Sequence, residues 1–175
     1  MKLKRIYHPP KRLFFTSELP LKESTFSWVY SLKDDFGKEY VGKLLKSSFC
    51  APQTISQGRF VSDLVREINF AEAVRTSGFT VPVHHGVYEL RVPNFLNRSL
   101  PFMIMDKIDE ASKKEVPKKK WDEALEMIEL ERELAMKRGF LLPGDFYRNL
   151  VFSRKEEIFY MVDFDQWEID KEKLR

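Results

Sequence analysis

Two runs near the end of the chain decide the fold: Gly144-Asp145-Phe146-Tyr147-Arg148-Asn149-Leu150-Val151-Phe152 and Ile158-Phe159-Tyr160-Met161-Val162-Asp163-Phe164-Asp165. The first is a polar loop that opens an apolar run. A charged turn at residues 154–157 separates it from the second apolar run, which ends on Asp163. This pattern predicts a loop and a β-hairpin over residues 142–165. An aspartate after four apolar residues is costly to bury unless it meets a cation or several hydrogen-bond donors, so Asp163 is a candidate ligand-binding residue.

The composition limits the class of protein. A chain of 175 residues fits one domain, or two small lobes that share one ligand cleft. Apolar residues make up 43% of the chain and aromatic residues 14%, enough for a packed core. The formal charge of +3 comes from 30 basic and 27 acidic residues, and this near balance does not favour a dedicated nucleic-acid binder. A single cysteine and no apolar run of membrane-spanning length lead us to expect a cytoplasmic protein without a membrane span.

Apolar periodicity predicts an α+β protein. The first predicted elements are three strands within residues 13–46, which start at Leu13, Ser27 and Glu39, with a hairpin turn at Asp34–Gly37 between the last two. A helix around 60–76 follows, and then a strand at 81–88, which Pro82 makes either an edge strand or one with an irregular start. The remaining elements are a strand at 100–105, a charged linker at 109–120, a helix over 121–138 capped by Gly139, and the hairpin. The second helix is expected to align Trp121, Leu125, Ile128, Arg132 and Ala135 along one side. Together these elements predict two small layers with a cleft between them.

This order, with polar residues at its joints, resembles the protein-kinase-like superfamily, including small-molecule, lipopolysaccharide and minimal effector kinases, over residues 13–165. The resemblance implies a two-lobed fold. A small antiparallel N-lobe sheet plus helix would occupy residues 1–108, with a hinge near 105–108, and a truncated C-lobe would occupy 109–175. Because only ten residues follow Asp165, we expect no activation segment and no conventional protein kinase.

Lys43 and Glu67 match a pair that the family uses to hold nucleotide phosphates. Lys43, in Val41-Gly42-Lys43-Leu44, stands at the third-strand lysine, which reaches the α- and β-phosphates. Glu67, on the helix that follows, stands at the carboxylate that orients this lysine. Taken singly, each residue is more often an ordinary surface charge. Their order in the chain favours the functional interpretation.

The resemblance also implies where the rest of the nucleotide binds. Met105 would take the gatekeeper position, and the Asp106 carbonyl and the Ile108 amide would meet the adenine edge. Residues 22–30 stand at the family's glycine-rich phosphate loop but hold no glycine. Ser24 and Thr25 would donate hydroxyls there instead, while the neighbouring Glu23 would repel a triphosphate.

Asn149 and Asp163 match the two magnesium-binding residues of the family, the catalytic-loop asparagine and the aspartate of the D-F-G motif. The family places its catalytic aspartate five residues before the asparagine, and Gly144 occupies that position. Asp145 lies four residues before it. Either the loop is one residue shorter and Asp145 is the general base, or the base is absent.

The resulting functional prediction is an ATP-dependent phosphotransferase that uses ATP and Mg²⁺ and passes the γ-phosphoryl group to an unidentified hydroxyl acceptor. The alternative is a pseudokinase that binds a nucleotide or a protein partner without catalysis. A third and less favoured interpretation is a nucleic-acid adaptor, which rests on the basic N-terminal residues Lys2, Lys4, Arg5, Lys11 and Arg12.

Overall fold

The computed structural model of the chain describes residues 12–46, 56–76, 78–91, 99–144, 146–164 and 167–169. The elements in chain order are β1 (Leu13–Phe15), β2 (Lys22–Glu23), β3 (Ser27–Asp34), β4 (Glu39–Leu45), α1 (Ser56–Thr76), β5 (His84–Arg91), β6 (Ser99–Asp106), α2 (Lys118–Lys137), β7 (Phe140–Leu141), a 3-10 helix (Phe146–Asn149), β8 (Leu150–Phe152), β9 (Phe159–Met161) and β10 (Glu168–Ile169). The predicted α+β class is confirmed. The chain divides into two compact units, Met1–Arg66 with Val83–Lys107 and Glu67–Pro82 with Ile108–Arg175.

The first unit contains an antiparallel sheet with the strand order β1-β3-β4-β6-β5. Both β1 and β2 pair with β3 on the edge away from β4, so they form one interrupted edge strand. The pairing of β3 with β4 spans seven residue pairs. At the other edge lies β5, which agrees with the edge position predicted from Pro82, although the strand starts only at His84. Its register shifts between His84 and Gly86.

The β3–β4 hairpin closes through the predicted turn at Asp34–Gly37. Asp34 Oδ1 accepts hydrogen bonds from the backbone N–H groups of Phe36 and Lys38, both at 2.9 Å. Asp34 Oδ2 accepts one from the Tyr40 hydroxyl at 3.2 Å. These bonds satisfy a carboxylate that is only 3% exposed. They also fix the register of the two strands, because the turn determines which residues face each other.

One face of this sheet carries the apolar core of the first unit. Its buried members are Tyr30, Leu32, Tyr40, Leu44, Tyr88, Leu90, Leu100, Phe102 and Ile104. Gly42 belongs to the same face, where a Cβ would lie 2.9 Å from Leu32 Cδ1 and 3.0 Å from Phe102 Cδ1. Glycine at position 42 therefore lets the core close tightly over β4.

Helix α1 begins at Ser56, earlier than the predicted start at Phe60. Its first turn holds Gly58, a poor helix former that sequence reasoning leaves outside the helix. The boundary between the two units falls within α1, between Arg66 and Glu67. The buried residues of α1 recur at helical spacing and are Leu64, Glu67, Phe70, Ala71 and Val74.

Helix α2 also begins earlier than predicted, so Lys118–Lys120 form its first turn and are not part of a linker. Pro117 directly precedes it, and the fixed φ of proline suits the entry to a helix. Gly139, with φ of 87°, follows the helix end, which confirms the predicted cap.

The buried side of α2 agrees in part with the predicted one, since Ile128 and Ala135 were expected there and Ala124 was not. It consists of Ala124, Ile128 and Ala135, whereas Leu125 is 40% exposed. Leucine and methionine residues occur around much of this helix, so apolar spacing alone leaves its buried side ambiguous. In the described part of the chain, no helix is long and apolar enough to cross a membrane.

The stretch predicted to be a linker packs against the hairpin. The Arg154 guanidinium bonds Asp109 at 2.6 Å and Glu115 at 2.9 Å, and the Ala111 N–H donates to the Phe152 carbonyl at 2.9 Å. Ala111 and Val116 form a small apolar cluster with Phe152. Residues 109–117 therefore form an ordered layer beside β8.

Two short strands that the sequence did not predict complete the second unit. β7 pairs with β10, two residues each, which is shorter than any periodicity can detect. Between β9 and β10, Trp167 is 1% exposed and packs on Phe164 with ring centroids 5.3 Å apart. Residues after the predicted hairpin thus complete the core of this unit.

Candidate functional site

Lys43 lies on the sheet face opposite to the apolar core. It pairs with Val29 on β3 and with Met103 on β6, and Val41 pairs with Met105 next to it. Residues directly opposite each other in an antiparallel pair point to the same side. The register therefore gathers one ammonium group and four apolar side chains, here called the Lys43 face (Val29, Val41, Lys43, Met103 and Met105).

Lys43 and Glu67 are both buried, at 4% and 3% exposed. They are the only buried lysine and the only buried glutamate among the described residues. Burying an isolated charge costs several kcal/mol, so a buried charge requires an opposite charge or hydrogen bonds, and neither residue is without a partner. The burial excludes the interpretation that they are ordinary surface charges.

The residues predicted to form the hinge, Met105, Asp106 and Ile108, lie at the end of β6 and just beyond it. The Asp106 N–H donates to the Val83 carbonyl at 2.9 Å, and the Ile108 carbonyl accepts from the Glu110 N–H at 2.9 Å. None of the described backbone carbonyls accepts from the Ile108 N–H. This N–H is the group that the adenine interpretation requires as a donor.

The Asp106 side chain is held by one lysine and one histidine. Its Oδ1 lies 2.9 Å from Lys38 Nζ and 2.9 Å from His85 Nε2. Burial alone would raise the pKa of Asp106, but the hydrogen bonds from Lys38 and His85 outweigh it and hold the pKa below its usual value. Asp106 therefore stays ionised at neutral pH and anchors the end of β6.

Ser24 and Thr25 lie in the bend between β2 and β3. Ser24 Oγ accepts hydrogen bonds from the backbone N–H groups of Phe26 at 3.3 Å and Ser27 at 3.0 Å, and it lies 2.9 Å from Ser27 Oγ. The Ser24 hydroxyl thus stabilises the bend. Thr25 is exposed at its tip and is the better placed of the two to meet an external group.

Lys46 offsets the negative charge of Glu23, which was expected to repel a triphosphate. Lys46 Nζ lies 2.5 Å from Glu23 Oε1 and 5.4 Å from the centre of the Trp28 ring. Hydrogen bonds from Lys46, and then from Trp28, lower the pKa of Glu23. The carboxylate therefore stays ionised but is paired, so its repulsion of an anion at this bend is much reduced.

The hairpin brings Asn149 and Asp163 together. Leu150 pairs with Met161 at its open end, so the residues just outside the two strands become neighbours. Asn149 Nδ2 donates to the Asp163 carbonyl at 3.0 Å, and the Val162 N–H donates to the Asn149 carbonyl at 2.9 Å. Because the amide nitrogen makes this bond, its Oδ1 remains available as an oxygen ligand.

Asp163 has a backbone conformation that is uncommon outside glycine, with φ of 65°. Aspartate tolerates this left-handed region better than most residues, and such positions concentrate at functional sites. Here the bond from Asn149 holds the carbonyl, and the neighbouring Phe164, 1% exposed, anchors the chain. The half-buried Asp163 side chain is thereby directed by a fixed backbone.

Asp145, the predicted general base, lies outside the described residues, as does Asp165. On one side of Asp145, Gly144 is exposed, and on the other the 3-10 helix begins at Phe146. The question of whether Asp145 acts as the base therefore stays a prediction.

The donor set offered by Asn149 and Asp163 fits Mg²⁺. One amide oxygen and one carboxylate are hard oxygen donors, the type that Mg²⁺ prefers, and nucleotide phosphates normally complete its shell. Across the described ranges, no group of three or more His, Cys, Asp or Glu side chains is arranged to hold a metal ion. A protein-only metal cage is thus not found in these ranges, whereas a site completed by phosphate needs only these two residues.

Three contributors, Val29, Val41 and Lys46, were missed from the sequence. Val29 and Val41 could have been found by the period-two alternation, since each must point to the same face as its partner. The role of Lys46 beside Glu23 had no sequence signal, because the two residues are distant in the chain and only the sheet register brings them together.

No protein-family model matches the sequence, and no curated protein matches it either.

Proposed function

We propose that this chain is a minimal kinase-like, nucleotide-binding protein that transfers the γ-phosphoryl group of ATP to a hydroxyl acceptor. The observation that carries the proposal is the hydrogen bond from Asn149 to the left-handed Asp163 at the open end of the hairpin. Two residues with oxygen-bearing side chains, 14 positions apart in the sequence, are hydrogen-bonded neighbours there, which supports a shared site for metal and phosphate.

Each residue has a distinct role in the proposal. The Lys43 ammonium binds the α- and β-phosphates, and Glu67 orients it. The apolar members of the Lys43 face pack against the adenine ring, while the Ile108 N–H donates to its edge. Asn149 Oδ1 and the Asp163 carboxylate would hold Mg²⁺, which when bound neutralises charge on the phosphate oxygens.

The transfer itself needs little covalent chemistry from the protein. The acceptor oxygen forms a bond to the γ-phosphorus while the bond from that phosphorus to the bridging oxygen breaks, which leaves ADP. The hydroxyl proton passes to Asp145, the proposed base. Most of the rate enhancement would come from positioning and electrostatic stabilisation.

Nucleotide binding tests the first half of the proposal. We expect ATP to bind with an affinity that rises with Mg²⁺, as measured by isothermal titration calorimetry. Asp163→Asn keeps the shape and the left-handed backbone but removes the charge, so it should weaken Mg²⁺-dependent binding at least about tenfold. Lys43→Met should weaken binding in the presence and absence of Mg²⁺. Asp122→Asn, at an exposed position on α2, is the matched control and should bind as the parent chain does.

Turnover of ATP tests the second half of the proposal, the transfer of the γ-phosphoryl group. Release or transfer of labelled γ-phosphate should be measurable and should fall about a hundredfold or more in Asp145→Asn. Normal ATP binding without any loss of γ-phosphate would instead establish the pseudokinase. If no Mg²⁺-dependent ATP binding occurs at all, the nucleotide proposal is wrong, and a salt-sensitive shift of RNA would then favour the adaptor.

A further inference from the structure

A second candidate site lies wholly within the second unit, in a groove beside α2 and the β8–β9 hairpin. The groove has a cavity volume of about 350 Å³. Ile128, Phe152 and Phe159 form part of its wall, and Met127 and Ile158 lie at its rim with 65% and 42% of their surface exposed. The volume is near the lower end of small-molecule pockets, which run from roughly 300 to 1,000 Å³.

The charges along the groove leave one carboxylate uncompensated. Lys120 pairs with Glu157 at 3.1 Å, and Glu123 pairs with Lys119 at 3.6 Å. Glu131 also lines the groove, and it forms no ion pair within the described ranges. The net result is an apolar groove with a single uncompensated negative charge.

Glu131 also has an unsatisfied oxygen. Its Oε2 is buried and has no hydrogen-bond partner among the described residues. The carboxylate lies against the backbone of Gly78, where a Cβ would be 3.2 Å from Oε1. A buried carboxylate oxygen without a partner is destabilising. The Glu131 side chain as a whole is half-buried and lines the groove, so a cation bound in the groove would offset its charge.

We propose that this groove binds a small amphipathic amine, with its ammonium on Glu131 and its apolar body against Phe152 and Phe159. An ammonium group supplies both the charge and the N–H donors that the carboxylate lacks. A body of aromatic or aliphatic carbon suits the ring edges and methyl groups of the wall. An engineered cavity of about 150 Å³ binds benzene, so a cavity of this size takes a molecule with about ten carbons. None of the residues that line the groove is among those proposed to bind the nucleotide.

Three matched probes test the proposal: 4-phenylbutylamine, 4-phenylbutanol and 4-phenylbutyrate. They share one apolar body and differ in the charge of the head group. The methyl signals of Met127 and Ile158 in NMR spectra, together with Trp121 fluorescence through its neighbour Phe159, report on occupancy. We expect the amine to bind in the millimolar range or tighter, at least tenfold better than the alcohol, and the carboxylate to bind weakest.

Glu131→Gln separates the ligand site from a structural role. Since the unpaired charge is costly, the variant should be at least as heat-stable as the parent chain, and its preference for the amine over the alcohol should fall about tenfold while alcohol binding stays. Glu133→Gln, at an exposed position on the same helix, should change neither quantity. Equal binding of the three probes, unchanged preference in Glu131→Gln, or a lower melting temperature of that variant would each overturn the proposal.

Discussion

The strand that carries Lys43 and the hairpin that carries Asn149 and Asp163 are held in place in different ways. β4 is paired along both edges, with seven residue pairs to β3 and four to β6. Its side chains on the face away from Lys43 pack into the apolar core of the first unit. The β8–β9 hairpin has only three residue pairs. Beyond them, a side-chain bond from Asn149 to the Asp163 carbonyl and a backbone bond from Val162 to the Asn149 carbonyl help to hold these residues.

The difference shows that position can be fixed by repetition or by a few specific bonds. Many backbone hydrogen bonds hold β4 in place. Single changes of polar side chains should therefore alter the stability little, and changes in core packing should alter it most. At the end of the hairpin, fewer ladder bonds are present, so the loss of one specific bond should matter more. Mutations of the two regions should therefore differ in kind, which the following variants test.

Gly42→Ala should give the largest loss of stability. The new methyl would meet Leu32 at 2.9 Å and Phe102 at 3.0 Å, and both of these side chains are fully buried. Overpacking of this kind costs about 1–3 kcal/mol, so the melting temperature of the first unit should fall by several degrees in a thermal scan. Gly144→Ala is the matched control, because a Cβ there meets no atom within 4 Å. Equal melting temperatures for the two variants would contradict the inference that the core leaves no room for a methyl group at position 42.

Asn149→Ala should give an intermediate loss. It removes the bond to the Asp163 carbonyl, which is worth about 1 kcal/mol, and with it one constraint on the left-handed residue. Urea unfolding of the second unit should show this loss, and Mg²⁺-dependent ATP binding should weaken with it. Asn69→Ala, on the exposed side of α1, should leave both measurements near the parent values. If ATP binding by Asn149→Ala keeps its normal dependence on Mg²⁺, metal binding does not depend on this hydrogen bond.

Asp106→Asn should give the smallest effect, visible mainly as a change in pH dependence. The pKa of Asp106 is lower in the folded chain than in the unfolded chain, where it is about 3.9. Its pairing with Lys38 and His85 therefore stabilises the fold above that value, and the stabilisation is lost as the pH falls through the folded pKa. Melting temperatures between about pH 5 and pH 2 should decline less steeply in Asp106→Asn. The same slope in both proteins would show that this pair contributes nothing measurable.

Much of the fold could be predicted because its strands and helices are long enough to show periodicity. β3, β4 and α1 were placed to within a few residues from apolar spacing and from the turn residues Asp34 and Gly37. β7 and β10 could not be predicted, because a strand of two residues shows no periodicity and the two strands are distant in the chain. The buried side of α2 was ambiguous for a different reason, since this helix also exposes Met127 and Leu130.

The candidate site residues could be identified from the sequence, but most of the side chains that surround them could not. Lys43 and Glu67 are polar residues within apolar periodic segments, and their burial agrees with that position. The neighbouring roles of Lys46 and Lys38 depend on pairs formed across the sheet, which no local pattern encodes. Glu131 gave no signal either, because a glutamate on a charged helix resembles its solvated neighbours until its burial is known.

The left-handed backbone at Asp163 has a consequence for how this position would change under selection. A non-glycine residue there costs the fold on the order of 1 kcal/mol, and glycine would relieve that cost. In a library selected only for heat resistance, position 163 should therefore drift to glycine. In a library selected for nucleotide-dependent activity, aspartate should be kept despite the lost stability, so the two outcomes would separate what the fold prefers from what the chemistry requires.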